Sequence, residues 1–167
     1  MELIFPTEAH ERAAWAYRQE HIDAGETHIH GSGSLLQAED YASWLEKVTQ
    51  GPTALPGLVD ASTFFAVEGG QIVGMIQLRH ALNDYLLRFG GHIGYGVRPS
   101  QRRKGYATQM LARALDKARA LGLPRVLLTC NQGNLASART ILRHGGVLEN
   151  EIAEDDGTLV QRYWIAL

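Results

Sequence analysis

The stretch VRPSQRRKGYATQM, Val97 to Met110, places Arg98, Arg102, Arg103 and Lys104 within seven residues, followed by Gly105 and a helix-like run. A helix N-terminus already carries a partial positive charge, so cations gathered there are repelled unless an anion sits among them. The free N–H groups of a strand–turn–helix junction are donors for such an anion. Gly105 lets the backbone come close, Ala107 leaves the first turn uncrowded, and Thr108 adds a hydroxyl donor. An anion with several charges, such as a pyrophosphate, offsets the crowding of cations. A solvated basic turn is the alternative. The chain has no G-x-x-x-x-G-K-[ST] loop, which argues against a nucleoside triphosphatase. The glycines of GGHIGYG lie within a strand and not in the turn after it, which argues against a dinucleotide fingerprint.

Other side chains could also do chemistry. His92 opens HIGYGV, and strand alternation puts it on one face with Gly94 and Gly96, while Ile93, Tyr95 and Val97 take the other. An imidazole with a pKa near 6.5 suits a proton acceptor at neutral pH; a hydrogen-bonded structural histidine is the alternative. His28 and His30 stand two apart, ahead of Gly31 and Gly33, but lack a third ligand in a convincing frame, so no metal is expected. Cys130 is the single cysteine; it excludes an intramolecular disulfide and reads as a buried thiol in a reducing compartment.

The elements that must position these residues follow from the hydrophobic pattern. ELIF reads as a first strand, and Thr7 caps a helix running to about Ala24. GETHIHGSGS is a loop by composition, LLQAEDYASWLEKV a second helix, and GPTALPG its break. STFFAVEGGQIVGMIQLRH gives two strands joined at Gly69-Gly70. HIGYGV is a strand, and the helical spacing of Ala107, Leu111, Ala114, Leu115, Ala118 and Leu121 ends at Gly122 and Pro124. RVLLTC is a buried strand, NLASARTILRHGG a helix, and VLENEI and LVQRYWIAL a closing strand pair. A strand–helix–strand unit within hairpins predicts a mixed sheet in one α+β domain, with helices on both faces.

Bulk properties narrow the partners. With 167 residues, 45% hydrophobic and 20% charged, the chain can bury a sizeable core. A net charge of -2 gives no global basic field, so neither nucleic acid nor an anionic membrane is an expected partner. MELIFPTEAHERAAW lacks a basic n-region and a long apolar run, so the reading is a cytoplasmic protein without signal peptide or membrane span.

At Arg102-Arg103-Lys104-Gly105-Tyr106-Ala107 the chain resembles the GNAT superfamily of acetyl-CoA-dependent N-acetyltransferases, whose pyrophosphate signature is Q/R-x-x-G-x-G/A. VRP before it and NLAS after it match the family's frame, and GGHIGYGVRPSQRRKGYA with GGVLENE is similar to a bacterial subgroup of predicted acetyltransferases. The resemblance implies one domain over 1–167 with a mixed, mostly antiparallel sheet and a splayed parallel strand pair at the cofactor site. It implies acetyl transfer from acetyl-CoA to a primary amine, on a small molecule or a peptide, by direct attack on the thioester. A non-catalytic acyl-CoA-binding sensor or partner module is the alternative, and a homodimer through the last strands would be common for the family.

Carried over by position, the backbone from Arg102 to Thr108 (Arg103, Lys104, Gly105, Tyr106 and Ala107 between them) holds the pyrophosphate. The strand edge at Tyr95 and Val97 pairs with the pantetheine arm, and Asn134 bridges from the far side. His92 stands where many relatives carry a glutamate base, with glycines that leave open space around it. His28 and His30 fall in the segment that walls the acceptor site in the family. Ile141 stands where relatives often carry a tyrosine that protonates the departing thiolate, so the proton donor is unassigned.

Overall fold

The computed structural model describes residues 1–49 and 59–167. The strands are β1 (Glu2–Ile4), β2 (Ala61–Glu68), β3 (Gln71–Arg79), β4 (Ile93–Val97), β5 (Arg125–Asn131), β6 (Val147–Ala153) and β7 (Leu159–Ala166). The helices are α1 (Glu11–Asp23), α2 (Tyr41–Thr49), α3 (Tyr106–Ala120) and α4 (Leu135–Arg143). All strand ladders among the described residues are antiparallel, in two sheets ordered β1-β2-β3-β4 and β5-β7-β6.

The β2–β3 hairpin turns at Gly69 and Gly70, as the sequence predicts. Its central strands are apolar on both faces because helices cover both. Phe65, Ile72 and Met75 pack with Ala14 and Tyr17 of α1 and Trp44 of α2. Phe64, Ala66 and Ile76 pack with Met110, Leu111 and Ala114 of α3 and with Ile141 of α4.

Two helix boundaries differ from the sequence reading. α1 begins at Glu11 because residues 8–10 form a tighter 3-10 turn, where the Thr7 N–H donates to His10 Nδ1 at 3.0 Å. The expected second helix is split into a 3-10 turn at Leu35–Gln37 and α2. Asp40 caps α2: its Oδ1 accepts the Ser43 N–H at 2.8 Å, satisfying a donor that the helix cannot satisfy itself. The break expected at GPTALPG, 51–57, lies outside the described residues. Among those residues, no helix is long and apolar enough to cross a membrane.

The two sheets meet at one end. The His92 N–H donates to the Leu127 carbonyl at 2.7 Å, and the Leu127 N–H donates to His92 Nδ1 at 2.9 Å. Beyond that point no ladder among the described residues joins β4 to β5, so the strands part and the free edge of β4 faces a gap. The expected splayed pair is therefore tied only at its root.

Candidate active site

The gap opens into a cleft of about 640 Å³, walled by β4, the turn before α3, the start of α4 and the segment after α1. Tyr95, Gly96 and Val97 form one wall, Arg102, Arg103, Gly105, Tyr106, Ala107 and Thr108 another, and Asn134 and Ser137 a third. His21, Glu26, His28 and His30 close the remaining side.

The turn has the backbone course that an anion site needs. Arg103 takes φ +60° and Gly105 φ +83°, left-handed positions of the kind found in anion-binding turns. A Cβ at Gly105 meets nothing within 4 Å, so the glycine is there for its conformation and for the open approach to the backbone. The side chains divide the work differently from the sequence reading. Arg102 turns inward: its Nε donates to the Val97 carbonyl at 3.1 Å and its guanidinium pairs with Glu26. Lys104 turns outward, donating to Gln101 Oε1 at 2.9 Å. Arg98 leaves the cluster altogether. It is 8% exposed and binds Glu20 and the carbonyls of Ile72 and Ala16, so the opening crowd of four cations is three plus a buried brace.

Asn134 caps α4, its Oδ1 accepting the Ser137 N–H at 3.1 Å. The same cap presents Ser137 Oγ to the cleft, where it lies 3.0 Å from the Tyr95 hydroxyl. Tyr95 thus spans from β4 to α4. Burial raises its pKa, against hydrogen bonds from Ser137 and Thr140, so the phenol is protonated at neutral pH.

Two residues that sequence reasoning passed over lie in the cleft wall, His21 and Glu26. The Glu26 carboxylate takes His21 Nδ1 at 2.7 Å and also pairs with Arg102. Burial would raise the Glu26 pKa, but these two partners bring it below the ordinary carboxylate value. Desolvation lowers the His21 pKa, so Nδ1 is the donor and Nε2 is left buried without a hydrogen-bond partner among the described residues. Glu26 sits in a segment whose Gly, Ser and Thr content reads as plain loop, and a loop has no periodicity to single out one carboxylate.

His92 is not in this cleft. It is 6% exposed at the root of the gap, and its Nδ1 lone pair is committed to the Leu127 N–H. Burial, reinforced by the Arg79 charge, lowers its pKa to about 4. The space expected around it, beside Gly94 and Gly96, is filled by backbone. Gly31, at φ +73°, packs its Cα against the Gly94 carbonyl so closely that any Cβ there would overlap it. A base at His92 would have to take its proton at Nδ1, which would break the bond that ties the sheets together. His92→Leu should leave the Leu127 N–H buried and unpaired, lowering stability by about 1–3 kcal/mol. His92→Gln should keep turnover within a few-fold, and chemical denaturation alongside steady-state kinetics separates these effects.

His28 and His30 do line the cleft, with ring centroids 4.5 Å apart. Desolvation and then the His28 charge lower the His30 pKa, so its imidazole is neutral and able to accept a proton at pH 7. No group of three metal-ligating side chains occurs among the described residues. Ile141 is fully buried in the core, and Cys130 is buried with its thiol pKa raised by burial.

A phosphate-type turn thus opens a helix beside a strand whose free edge faces a gap. The model of the Acetyltransferase (GNAT) family matches residues 34–145, and the chain belongs to that family, acyltransferases that use acetyl-CoA as co-substrate. No curated protein matches the chain closely enough to add to this. Solved structures share the fold. The microcin C7 self-immunity acetyltransferase MccE, in complex with acetyl-CoA and AMP, is 17% identical over 99% of this chain and 91% of its own, with a TM-score of 0.71. A mutant of the spermidine N-acetyltransferase SpeG from Vibrio cholerae is 19% identical over 99% and 95%, with a TM-score of 0.66. A crystal structure described as a probable acetyltransferase is 24% identical over 64% of this chain and 62% of its own, with a TM-score of 0.53.

Proposed function

We propose that this chain transfers the acetyl group of acetyl-CoA to a primary amine by direct attack of the amine on the thioester. The observation that carries the reading is the cleft itself, where an N–H-rich turn, an open strand edge and a neutral imidazole face one space. The N–H groups from Arg102 to Thr108 hold the pyrophosphate, the β4 edge at Tyr95 and Val97 takes the pantetheine arm, and Asn134 borders it opposite. A strand N–H at Tyr95 or Val97 polarises the thioester carbonyl.

An alkylammonium must lose a proton before it can attack. His30 takes that proton, a role the sequence reading gave to His92. It lines the cleft beside Gly96 and its lowered pKa leaves it unprotonated. His28 borders the acceptor beside it. A thiol-release assay with acetyl-CoA against small amines and peptide N-termini tests the reading. His30→Gln should lower kcat by roughly 10²–10⁴, the usual worth of a general base, with acetyl-CoA affinity unchanged. The parent's acidic limb should survive with an aromatic amine, which is already neutral there, and vanish in the mutant. Full turnover in the mutant would remove His30 from the chemistry.

A non-catalytic acyl-CoA-binding module is the second reading, favoured by the buried Ile141 in place of a phenol on α4. It predicts a melting shift with acetyl-CoA and no thiol release with any amine.

A further inference from the structure

We propose that the Tyr95 hydroxyl, reaching from β4 onto α4, is the proton donor to the departing sulfur, a role that rests on the N-acetyltransferase reading above. Ser137 stands four residues before Ile141 on α4, and therefore on the same face of the helix. Ile141 is turned into the core. The phenol of Tyr95 occupies the cleft side of that helix instead, its oxygen 3.0 Å from Ser137 Oγ. One residue thus offers the cleft two groups, a backbone edge where the arm of the substrate runs and a phenol at the far end of the same side chain.

The other hydroxyl-bearing side chains in the cleft fit the task less well. Tyr106 opens α3, directly at the phosphate turn. Ser137 and Thr140 are aliphatic alcohols, which hold their protons more tightly than a phenol does. Ser137 instead fixes the phenol, and is itself fixed by the Asn134 cap. Ser137 is a positioning residue.

The step balances without any further reactant. The amine nitrogen forms its bond to the acetyl carbon, the carbon–sulfur bond breaks, and its electron pair goes to sulfur. The phenolic proton follows that pair, giving the free thiol of coenzyme A. His30, having passed the ammonium proton to solvent, takes the second proton of the amine as the amide forms, and the phenolate regains a proton from solvent through the open cleft. The groups that act on the phenol are Ser137 and Thr140 on α4 and Cys130 on β5; His30 lines the same cleft.

Tyr95→Phe keeps the ring and its packing, so folding is preserved, as a melting curve will show. Thiol release with a good amine acceptor should fall about 100-fold or more in kcat, within the range of acid–base catalysis, with acetyl-CoA affinity within twofold of the parent. The parent's kcat should fall at alkaline pH as the phenol ionises. That limb should be absent in Tyr95→Phe, present in Cys130→Ala, and moved to lower pH when 3-fluorotyrosine replaces Tyr95. Ser137→Ala should cost a few-fold and leave the limb in place. A Tyr95→Phe enzyme within threefold of the parent, or a limb that fluorination does not move, overturns the proposal. A parent that binds acetyl-CoA but releases no thiol with any amine overturns the transferase reading and this inference together.

Discussion

Gly105→Glu should abolish the rise in melting temperature that acetyl-CoA gives the parent, while the unliganded variant still unfolds cooperatively. A ligand that binds only the folded state stabilises it by RT ln(1 + [L]/Kd), about 2.7 kcal/mol at a concentration 100 times Kd. For a chain of 167 residues this is a shift of roughly 5–10 °C. The substitution places a carboxylate in the turn proposed to hold the pyrophosphate, and burdens a φ of +83° with a side chain. Gly105→Ala separates the two effects. A Cβ there meets no atom within 4 Å, so only the backbone strain remains, and part of the shift should survive. Differential scanning fluorimetry over an acetyl-CoA titration reads both variants. No shift in the folded parent at saturating acetyl-CoA would sink the assignment of the turn as a pyrophosphate site.

The second large effect is on stability, at Arg98. Its guanidinium is buried between α1 and β3, with Nη1 on the Ile72 carbonyl at 3.1 Å, Nη2 on the Ala16 carbonyl at 3.2 Å and Nε on Glu20. Glu20 in turn accepts the Ser100 N–H at 2.7 Å, which anchors the start of the cofactor turn to α1. Arg98→Met removes the partner of Glu20 and strands two carbonyls, and should cost about 3–5 kcal/mol in denaturant unfolding, while Glu20→Gln, at the more exposed end of the pair, should cost roughly 1–2 kcal/mol. The double variant should cost less than the sum of the two.

The pair also sets an acid limit on stability. Burial raises the Glu20 pKa, but the hydrogen bonds from Ser100 and Arg98 more than offset this and bring it from 4.5 to about 2. A carboxylate whose folded pKa is depressed stabilises the fold above its unfolded value, and loses that contribution as pH falls toward the folded one. Stability should therefore decline between about pH 5 and pH 2. After allowing for solvent screening of a partly exposed group, roughly 1–2 kcal/mol of that decline belongs to Glu20. Glu20→Gln should flatten the profile by that amount; an unchanged slope would show that other carboxylates carry it.

The strands, the hairpin and the turn before α3 were legible because each leaves a local mark. The Gly69-Gly70 turn, the apolar period of α3 and the strand–turn–helix junction at Gly105 all need particular residues at particular places. What escaped the sequence depends on pairings far apart in the chain. Arg98 reads as one more surface cation until Glu20, 78 positions earlier, is seen to bind it. His92 has the right type for a base, but its character is set by the Leu127 amide, 35 positions on, which no strand pattern reveals. The glycines at 94 and 96 read as open space beside His92, and the sequence could not say that the Gly31 backbone fills it. The side chain of Tyr95 was hidden behind its backbone role, since nothing in IGYGV says how far a phenol reaches.

The course of the loop over β4 is held without help from the histidines that it turns to the cleft. Gly31 rests on the Gly94 carbonyl, Ser32 Oγ donates to the Ile29 carbonyl at 2.8 Å, and Trp44 Nε1 donates to the Ser32 carbonyl at 2.9 Å. His28 and His30 project from this frame and touch each other, and the bonds that hold the frame use neither ring. Exchanging either one changes the shape and polarity of the cleft wall while the frame stays put. On the proposed function, selection, natural or in the laboratory, can therefore retune acceptor choice at 28 and 30 at little cost in folding. The same search at 31 or 32 would be spent on unfolded chains.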